Sequence, residues 1–126
     1  MPTIYILDYD IDIAFVLKEW LKLNGFKTKC FSTLEQLFQD LRAKHPECII
    51  LDCMFGKNAL LPEICRIIRE VLNYRGRIIL TSTNSISATD LQVCNANGFM
   101  PKPFDFVNMV NVINEEIGNS NQRCMS

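Results

Sequence analysis

The segment Cys48-Ile49-Ile50-Leu51-Asp52 consists of four apolar residues followed by a carboxylate. A continuous apolar run of this kind is typical of a strand that is buried on both faces of a parallel sheet. Open α/β sheets bind ligands outside the carboxyl ends of their strands, which is where Asp52 falls. The segment therefore predicts a central parallel strand with a functional carboxylate at its end.

Three other apolar strands also run into small polar or charged residues. These endings are Asp8-Tyr9-Asp10 after Ile4–Leu7, Thr81-Ser82 after Ile78–Leu80, and Lys102-Pro103-Phe104 after Gly98–Pro101. If the strands are parallel, all four endings lie at one edge of the sheet. Carboxylates, a hydroxyl and an ammonium then converge on one crevice.

Helical patterns separate the strands, so that strand and helix alternate five times. Strands are predicted at about 3–7, 26–31, 48–52, 77–81 and 98–101, and helices at about 12–23, from 32, 61–73, 87–95 and from 105. Lysines at Lys27 and Lys29 indicate that the second strand lies at a sheet edge. This order predicts a doubly wound (βα)5 flavodoxin-like α/β fold, with a five-stranded parallel sheet of order 2-1-3-4-5 and helices on both faces.

Local signals mark the helix ends. Ser32-Thr33-Leu34-Glu35 has the pattern of a capping box, and Asp105 is a favourable N-cap. Pro62 fits a first helical turn, and Gly25 fits the position after a helix end. Asn95 is predicted to end its helix in the left-handed conformation. Phe55-Gly56-Lys57-Asn58 is predicted to be a loop.

Length and composition indicate one globular domain. The chain has 126 residues, 48% hydrophobic and 21% charged, with a formal net charge of −1. We expect a domain over residues 1–118 and a polar tail over 119–126. The chain contains no basic run of the kind that indicates nucleic-acid binding. No apolar stretch reaches the length of a membrane span. The N-terminus lacks the pattern of a signal peptide.

The cysteines indicate a reduced, cytoplasmic protein. There are six, none in a C-x-x-C pair, and His45 is the only histidine, so the spacing of zinc ligands is absent. His45 is expected to lie on the surface with no chemical role. Cys124, in the expected tail, is a candidate for artefactual dimerisation.

The four strand endings, in this order and spacing, resemble the receiver domain of two-component response regulators, particularly single-domain chemotaxis regulators. The resemblance extends from about Thr3 to about Ile117. It implies a domain that phosphorylates itself from a histidine kinase or phosphotransfer protein and then switches a surface that binds another protein. The output partner, or an output domain outside this chain, is not identified by the sequence. No direct contact with nucleic acid or membrane is expected.

By this resemblance Asp52 is the phosphoacceptor, and the expected cofactor is Mg²⁺. Asp8, Asp52 and the backbone carbonyl of Met54 match the family's metal ligands, which suits an ion that prefers oxygen ligands. Lys102 matches the lysine that pairs first with the acceptor and then with the phosphoryl group. Its bond to Pro103 is expected to be cis.

Thr81 and Phe99 match the family's switch pair. The Thr81 hydroxyl is expected to bind a phosphoryl oxygen, and the Phe99 ring to move inward as the threonine is drawn toward phosphate. Thr81 is otherwise explained by β-propensity, and Phe99 by a place in the core. Both interpretations stay open for each residue.

The chain departs from the family at Tyr9, which occupies the second position of the usual acidic pair. A neutral phenol is a poor magnesium ligand. Asp10 either compensates as a ligand or serves as the N-cap of the first helix. We expect weaker metal binding and slower phosphorylation. Met54 and Thr83, neither acidic nor amide, occupy positions that in the family influence the attacking water, so slow spontaneous loss of phosphate is expected.

Tyr9 also supports an alternative, a degenerate receiver that acts as a phosphorylation-independent protein-interaction module. Asp52, Thr81 and Lys102 favour the phosphoacceptor instead. A flavodoxin-like electron carrier shares the topology, but the acidic residues after the first strand would repel a flavin phosphate. No P-loop or dinucleotide-type glycine motif is present.

Overall fold

The computed structural model describes residues 1–56 and 60–125, with side chains as far as residue 118. The strands are β1 Thr3–Leu7, β2 Lys27–Cys30, β3 Cys48–Asp52, β4 Arg77–Ser82 and β5 Gly98–Pro101. The helices are α1 Ile11–Leu23, α2 Leu34–Leu41, α3 Leu61–Arg66, α4 Ala88–Val93 and α5 Phe106–Met125. A 3₁₀ helix covers Cys53–Gly56, and a π-helical segment, Ile67–Val71, continues α3.

All strands are parallel, and the sheet order is β2-β1-β3-β4-β5. The prediction of a doubly wound sheet is confirmed, as is the position of β2 at an edge. The order reverses between β1 and β3, so the loops that follow these two strands separate into opposite layers. This reversal opens the crevice in which open α/β sheets place their ligands.

The sheet separates two apolar layers. On one face, β-strand residues such as Leu51 and Leu80 pack against α2, α3 and α4. On the other face, residues such as Ile50 and Ile79 pack against α1 and α5. Every residue of β3 and β4 is buried, because both strands are covered on both faces. The core thus fixes the strands whose ends carry the candidate site.

Several boundaries differ from the sequence predictions. Thr33, not Ser32, is the N-cap of α2, and its hydroxyl accepts from Gln36 N while Gln36 Oε1 accepts from Ser32 N. The predicted loop at 55–58 begins as a 3₁₀ helix, and Lys57 and Asn58 lie outside the described residues. The spacing of apolar side chains does not fix the N-cap of α2 or the start of the 3₁₀ helix, because moving a helix end by one residue leaves that spacing unchanged.

Other end signals are confirmed. Asn95 has a φ of 52°, which is the left-handed conformation expected after α4. Pro62 lies in the first turn of α3, and Asp105 Oδ1 accepts from Asn108 N at the start of α5. The division between residues 118 and 119 stays a prediction, as does the role of Cys124. No described helix is long and apolar enough to cross a bilayer.

Candidate functional site

The sheet register aligns the four polar strand endings. Leu7 pairs with Leu51, Asp52 with Thr81, and Ser82 with Pro101, so each ending lies level with its neighbour. Asp8 and Lys102 are the next residues along β1 and β5. The residues that were predicted to converge therefore meet at the carboxyl edge of the sheet.

Lys102 lies between the two aspartates. Its Nζ is 2.8 Å from Asp52 Oδ2 and 2.9 Å from Asp8 Oδ2. The three side chains are only 10%, 2% and 1% exposed for Lys102, Asp52 and Asp8. The backbone N–H of Lys102 donates to Ser82 O, and the Lys102–Pro103 peptide is cis, as expected. One ammonium thus bridges two buried carboxylates.

Backbone amides orient both carboxylates. Tyr9 N donates to Asp52 Oδ2 at 3.1 Å and Met54 N donates to Asp52 Oδ1 at 3.0 Å. Asp10 N donates to Asp8 Oδ1 at 2.8 Å. These amides come from the loops after β1 and β3, which diverge at the topological switch point. The loops therefore fix the orientation of both Asp52 oxygens, each of which accepts a backbone amide.

Burial and charge act in opposite directions on the ionisable groups. Burial raises the pKa of Asp8, even though hydrogen bonds from Lys102 and Asp10 N lower it. Burial lowers the pKa of Lys102, but its hydrogen bonds and charge pairing with Asp52 and Asp8 outweigh this, and the net shift is upward. The ammonium is therefore retained, while burial disfavours the charged form of Asp8.

Asp8→Asn is expected to stabilise the protein modestly at neutral pH, because it removes a carboxylate whose charged form is disfavoured by burial, while Lys102 keeps its ion pair with Asp52. Because the folded-state pKa of Asp8 lies above its unfolded value, the folded state binds more protons between the two pKa values. The wild type should therefore lose stability as pH rises through that window, and Asp8→Asn should lose less. Urea unfolding across acidic to neutral pH measures this, and a variant less stable than wild type at every pH contradicts it.

Thr81 is fully buried beside Asp52, and its Oγ1 has no hydrogen-bond partner among the described residues. Buried hydroxyls are normally paired, so this one is free to donate to a ligand at the sheet edge. Phe99 is partly buried and packs against the core cluster on the α3–α4 side of the sheet. Its Cα pairs with Leu80, next to Thr81.

Asp10 adopts the extended conformation of an N-cap, and its Oδ1 accepts from Asp12 N and Ile13 N. The capping role that the sequence left open is thus present, and the ligand role of Asp10 stays a prediction. Met54 supplies its N–H to Asp52 and is 46% exposed. Its carbonyl as a metal ligand also stays a prediction.

The donor set fits a hard divalent cation with few protein ligands. Asp8 and Asp52 each direct one oxygen toward the Lys102 ammonium, so these two oxygens lie close enough to share one cation. Mg²⁺ commonly keeps several waters alongside one or two carboxylates. Among the described side chains, no group of three or more His, Cys, Asp or Glu residues is arranged to hold a metal ion. The residues fit Mg²⁺ through two carboxylates rather than three.

An aromatic pair at the site was not predicted from the sequence. The rings of Tyr9 and Phe55 lie 5.3 Å apart, centre to centre, and Tyr9 is 57% exposed. They border a cavity of about 400 Å³ that Phe15 and Phe31 also line. The signal was available, because both residues follow neighbouring strands, as the acidic residues do. The pair joins the two loops that donate to Asp52.

The fold and site define a parallel α/β domain with an acidic, lysine-bridged pocket at the switch point. Residues 4–114 match the family model of the response regulator receiver domain. The chain therefore belongs to the response regulator receiver domain family of two-component systems, which confirms the family predicted from the strand endings. No curated protein matches the chain in the sequence search.

Solved receiver structures share the fold at low identity. The Vibrio cholerae chemotaxis protein CheY4 has a TM-score of 0.82 and 16% identity, over 92% of this chain and 98% of that one. The Francisella response regulator 1452 receiver domain has 0.81 and 17%, over 95% and 99%. The receiver domain of sensor histidine kinase PA1611 from Pseudomonas aeruginosa, described with a magnesium ion in its active site cleft, has 0.77 and 20%, over 93% and 98%.

Proposed function

We propose that this receiver accepts a phosphoryl group on Asp52, with Mg²⁺, from the phosphohistidine of a histidine kinase or phosphotransfer protein. The observation that carries the proposal is the contact of Lys102 Nζ with both Asp52 and Asp8 at the sheet edge. A surface lysine or a simple turn-capping aspartate would not produce a buried group of two acids and one ammonium. The proposed location is the cytoplasm, and no direct contact with nucleic acid or membrane is proposed.

In the transfer, a carboxylate oxygen of Asp52 forms a bond to phosphorus while the bond from phosphorus to the donor imidazole nitrogen breaks. The imidazole leaves with the electron pair of that bond. Asp8, Asp52 and the Met54 carbonyl would hold Mg²⁺, which supplies charge neutralisation. Lys102 then pairs with a phosphoryl oxygen, and Thr81 donates its free hydroxyl to another.

The phosphorylated state would differ at the surface around β4, β5 and their helices. Thr81 and Phe99 lie on adjacent strands in neighbouring register positions, so a shift of the hydroxyl toward phosphate changes the space beside the ring. An output protein, or an output domain, would bind this surface. Met54 and Thr83, which directly follows β4, are neither acidic nor amide, so the acyl phosphate should be lost slowly.

Incubation with Mg²⁺ and acetyl phosphate, followed by intact mass and peptide mapping, tests the proposal. We expect the mass of one phosphoryl group to be added, and the modified peptide to contain Asp52. Chelation of the metal should prevent the addition. An unmodified protein under saturating donor and metal would favour the second function, a binding module independent of phosphorylation, which the neutral Tyr9 side chain supports.

Tyr9→Asp is expected to tighten Mg²⁺ binding about tenfold, or about 1.4 kcal/mol, by supplying a third carboxylate near the two buried ones. Phosphorylation by acetyl phosphate should also become faster. Calorimetric titration with Mg²⁺ measures the affinity. Tyr9→Asn is the matched control, since it loses the same ring contact with Phe55 without adding charge. Equal affinity in the two variants would refute a metal role for this position.

A further inference from the structure

We propose that the cavity beside the Tyr9–Phe55 ring pair binds a small aromatic carboxylate, with the rings holding its flat body and the Lys18 ammonium pairing with its acid group. We call it the aromatic cavity. Its volume is about 400 Å³, and Phe15 and Phe31 also contribute rings to its lining. A volume of this size lies within the range of small-molecule sites. The proposal goes beyond the phosphoacceptor function, because it does not require phosphorylation.

Three separate segments enclose the aromatic cavity. Ile11, Phe15 and Lys18 follow one another at helical spacing on one face of α1. Phe31 directly follows β2, and Phe55 belongs to the 3₁₀ helix after β3. The cavity therefore lies between α1 and two loops at the carboxyl edge of the sheet, which is where open α/β folds bind ligands.

Large apolar side chains that line the aromatic cavity are also exposed to solvent. Ile11 is 81% exposed, Phe15 61% and Tyr9 57%. Apolar side chains that are exposed together around a cavity indicate a binding site. A ligand that covered them would gain from the removal of apolar surface from water. Rings also pack favourably against another ring, either offset or edge to face, so a flat aromatic body suits this lining.

Lys18 gives the aromatic cavity a positive charge that no described carboxylate balances. Its side chain is partly buried, and it forms no ion pair with any residue that the structure describes. Burial raises the pKa of the Cys30 thiol and the Lys18 ammonium acts against this, so the ammonium lies near a second residue of the lining. Among the described residues that line the cavity, Asp8 is the one carboxylate, and its charge is paired with Lys102.

This combination of rings and charge selects the class of ligand. A carboxylate that pairs with Lys18 neutralises the unbalanced ammonium and forms a charge-assisted hydrogen bond. An aromatic amine would place a second cation beside that ammonium, and a phosphate ester would bring a second negative charge without a partner. The aromatic cavity therefore suits a flat aromatic body with one carboxylate.

Calorimetric titration with β-naphthoate and its neutral amide, β-naphthamide, tests the role of charge. We expect the wild type to bind the acid about tenfold more tightly than the amide, because only the acid pairs with Lys18. Lys18→Met should bind the two compounds equally. Lys22→Met is the matched control, since it removes an exposed ammonium one turn further along α1, outside the cavity lining, and should keep the preference. Absence of saturable β-naphthoate binding, or an acid preference that survives in Lys18→Met, overturns the proposal.

Phe15→Ala tests the role of the rings. This variant should fold, because the ring is largely exposed, and it should bind both compounds about tenfold more weakly, because it loses apolar contact area. Val16→Ala is the comparison: Val16 is also exposed, but it lies on a different face of α1 and does not line the aromatic cavity. Equal losses of affinity in the two variants would contradict the proposed position of the ligand.

Chemical-shift mapping on the wild type locates the ligand without any substitution. In ¹⁵N-labelled protein, the amide signals of Ala14, Lys18 and Ser32 should shift on addition of β-naphthoate, with the same midpoint as the calorimetric titration. Shifts centred instead on Phe104 and Phe106 would place the compound between α1 and α5, and would overturn the proposal.

Discussion

Asp52→Asn should not become phosphorylated by acetyl phosphate and Mg²⁺ under conditions that fully modify the wild type. An amide oxygen is a poor nucleophile, and the substitution also removes a negative charge from the proposed metal site. The fold should survive, because asparagine can still accept from Tyr9 N or Met54 N. Intact mass spectrometry measures the outcome, with circular dichroism as the check on folding.

Asp12→Asn is the control for this variant. Asp12 is an exposed aspartate in the first turn of α1, and among the described residues the ion pairs of Lys102 are with Asp8 and Asp52. The Asp12→Asn variant should be phosphorylated on Asp52 to the same extent as the wild type. Phosphorylation of Asp52→Asn to the same extent as the control would show that the acceptor is another residue.

Arg69→Met should lower the free energy of unfolding by about 3 kcal/mol, because it removes five hydrogen bonds, three of them partly buried, and takes this donor away from the Tyr74 and Gly76 carbonyls. The Arg69 guanidinium donates to the carbonyls of Tyr74, Gly76 and Asn95 and to Asn97 Oδ1, at 2.6–3.1 Å. Asn97 Oδ1 also accepts from Ile78 N. The arginine therefore connects the π-helical segment Ile67–Val71 to the residues just before β4 and to the turn that leads into β5.

Arg66→Met provides the comparison. Arg66 forms ion pairs with Glu63 and Glu70 on the same helix, but all three side chains are about half exposed or more. Exposed pairs contribute little to stability, so this variant should lose much less stability than Arg69→Met. Urea unfolding of both variants measures the difference. Similar losses at the two positions would contradict the role given to Arg69.

The sheet was predictable from sequence because its determinants are local. Continuous apolar runs such as Cys48–Leu51 identify buried parallel strands, and the residue that follows each run lies at the same sheet edge as its neighbours. The same argument predicts that Asp8, Asp52 and Lys102 lie together at that edge. Only the resemblance to receivers, and not the pattern alone, assigned them their separate roles.

Other features depend on geometry that a linear pattern does not contain. From the sequence, Asp10 could serve as a metal ligand or as a helix cap. Its extended backbone, and the two backbone amides that donate to its carboxylate, identify the capping role. Arg69 contacts Asn95 and Asn97, which are far along the chain and carry no sequence signal of this contact. The contact of Lys102 with both aspartates also depends on the three-dimensional arrangement, since the resemblance implied only its pairing with Asp52.

A crystal structure of the protein with Mg²⁺ and beryllofluoride is the most direct measurement of the central claim, that Asp52 is a phosphoryl acceptor served by Asp8, Thr81 and Lys102. We predict beryllofluoride on Asp52, a metal ion held by Asp8 and Asp52, and Lys102 and the Thr81 hydroxyl bound to fluorines. Well-ordered density that shows Asp52 without beryllofluoride and still paired with Lys102, at saturating ligand, would contradict this claim.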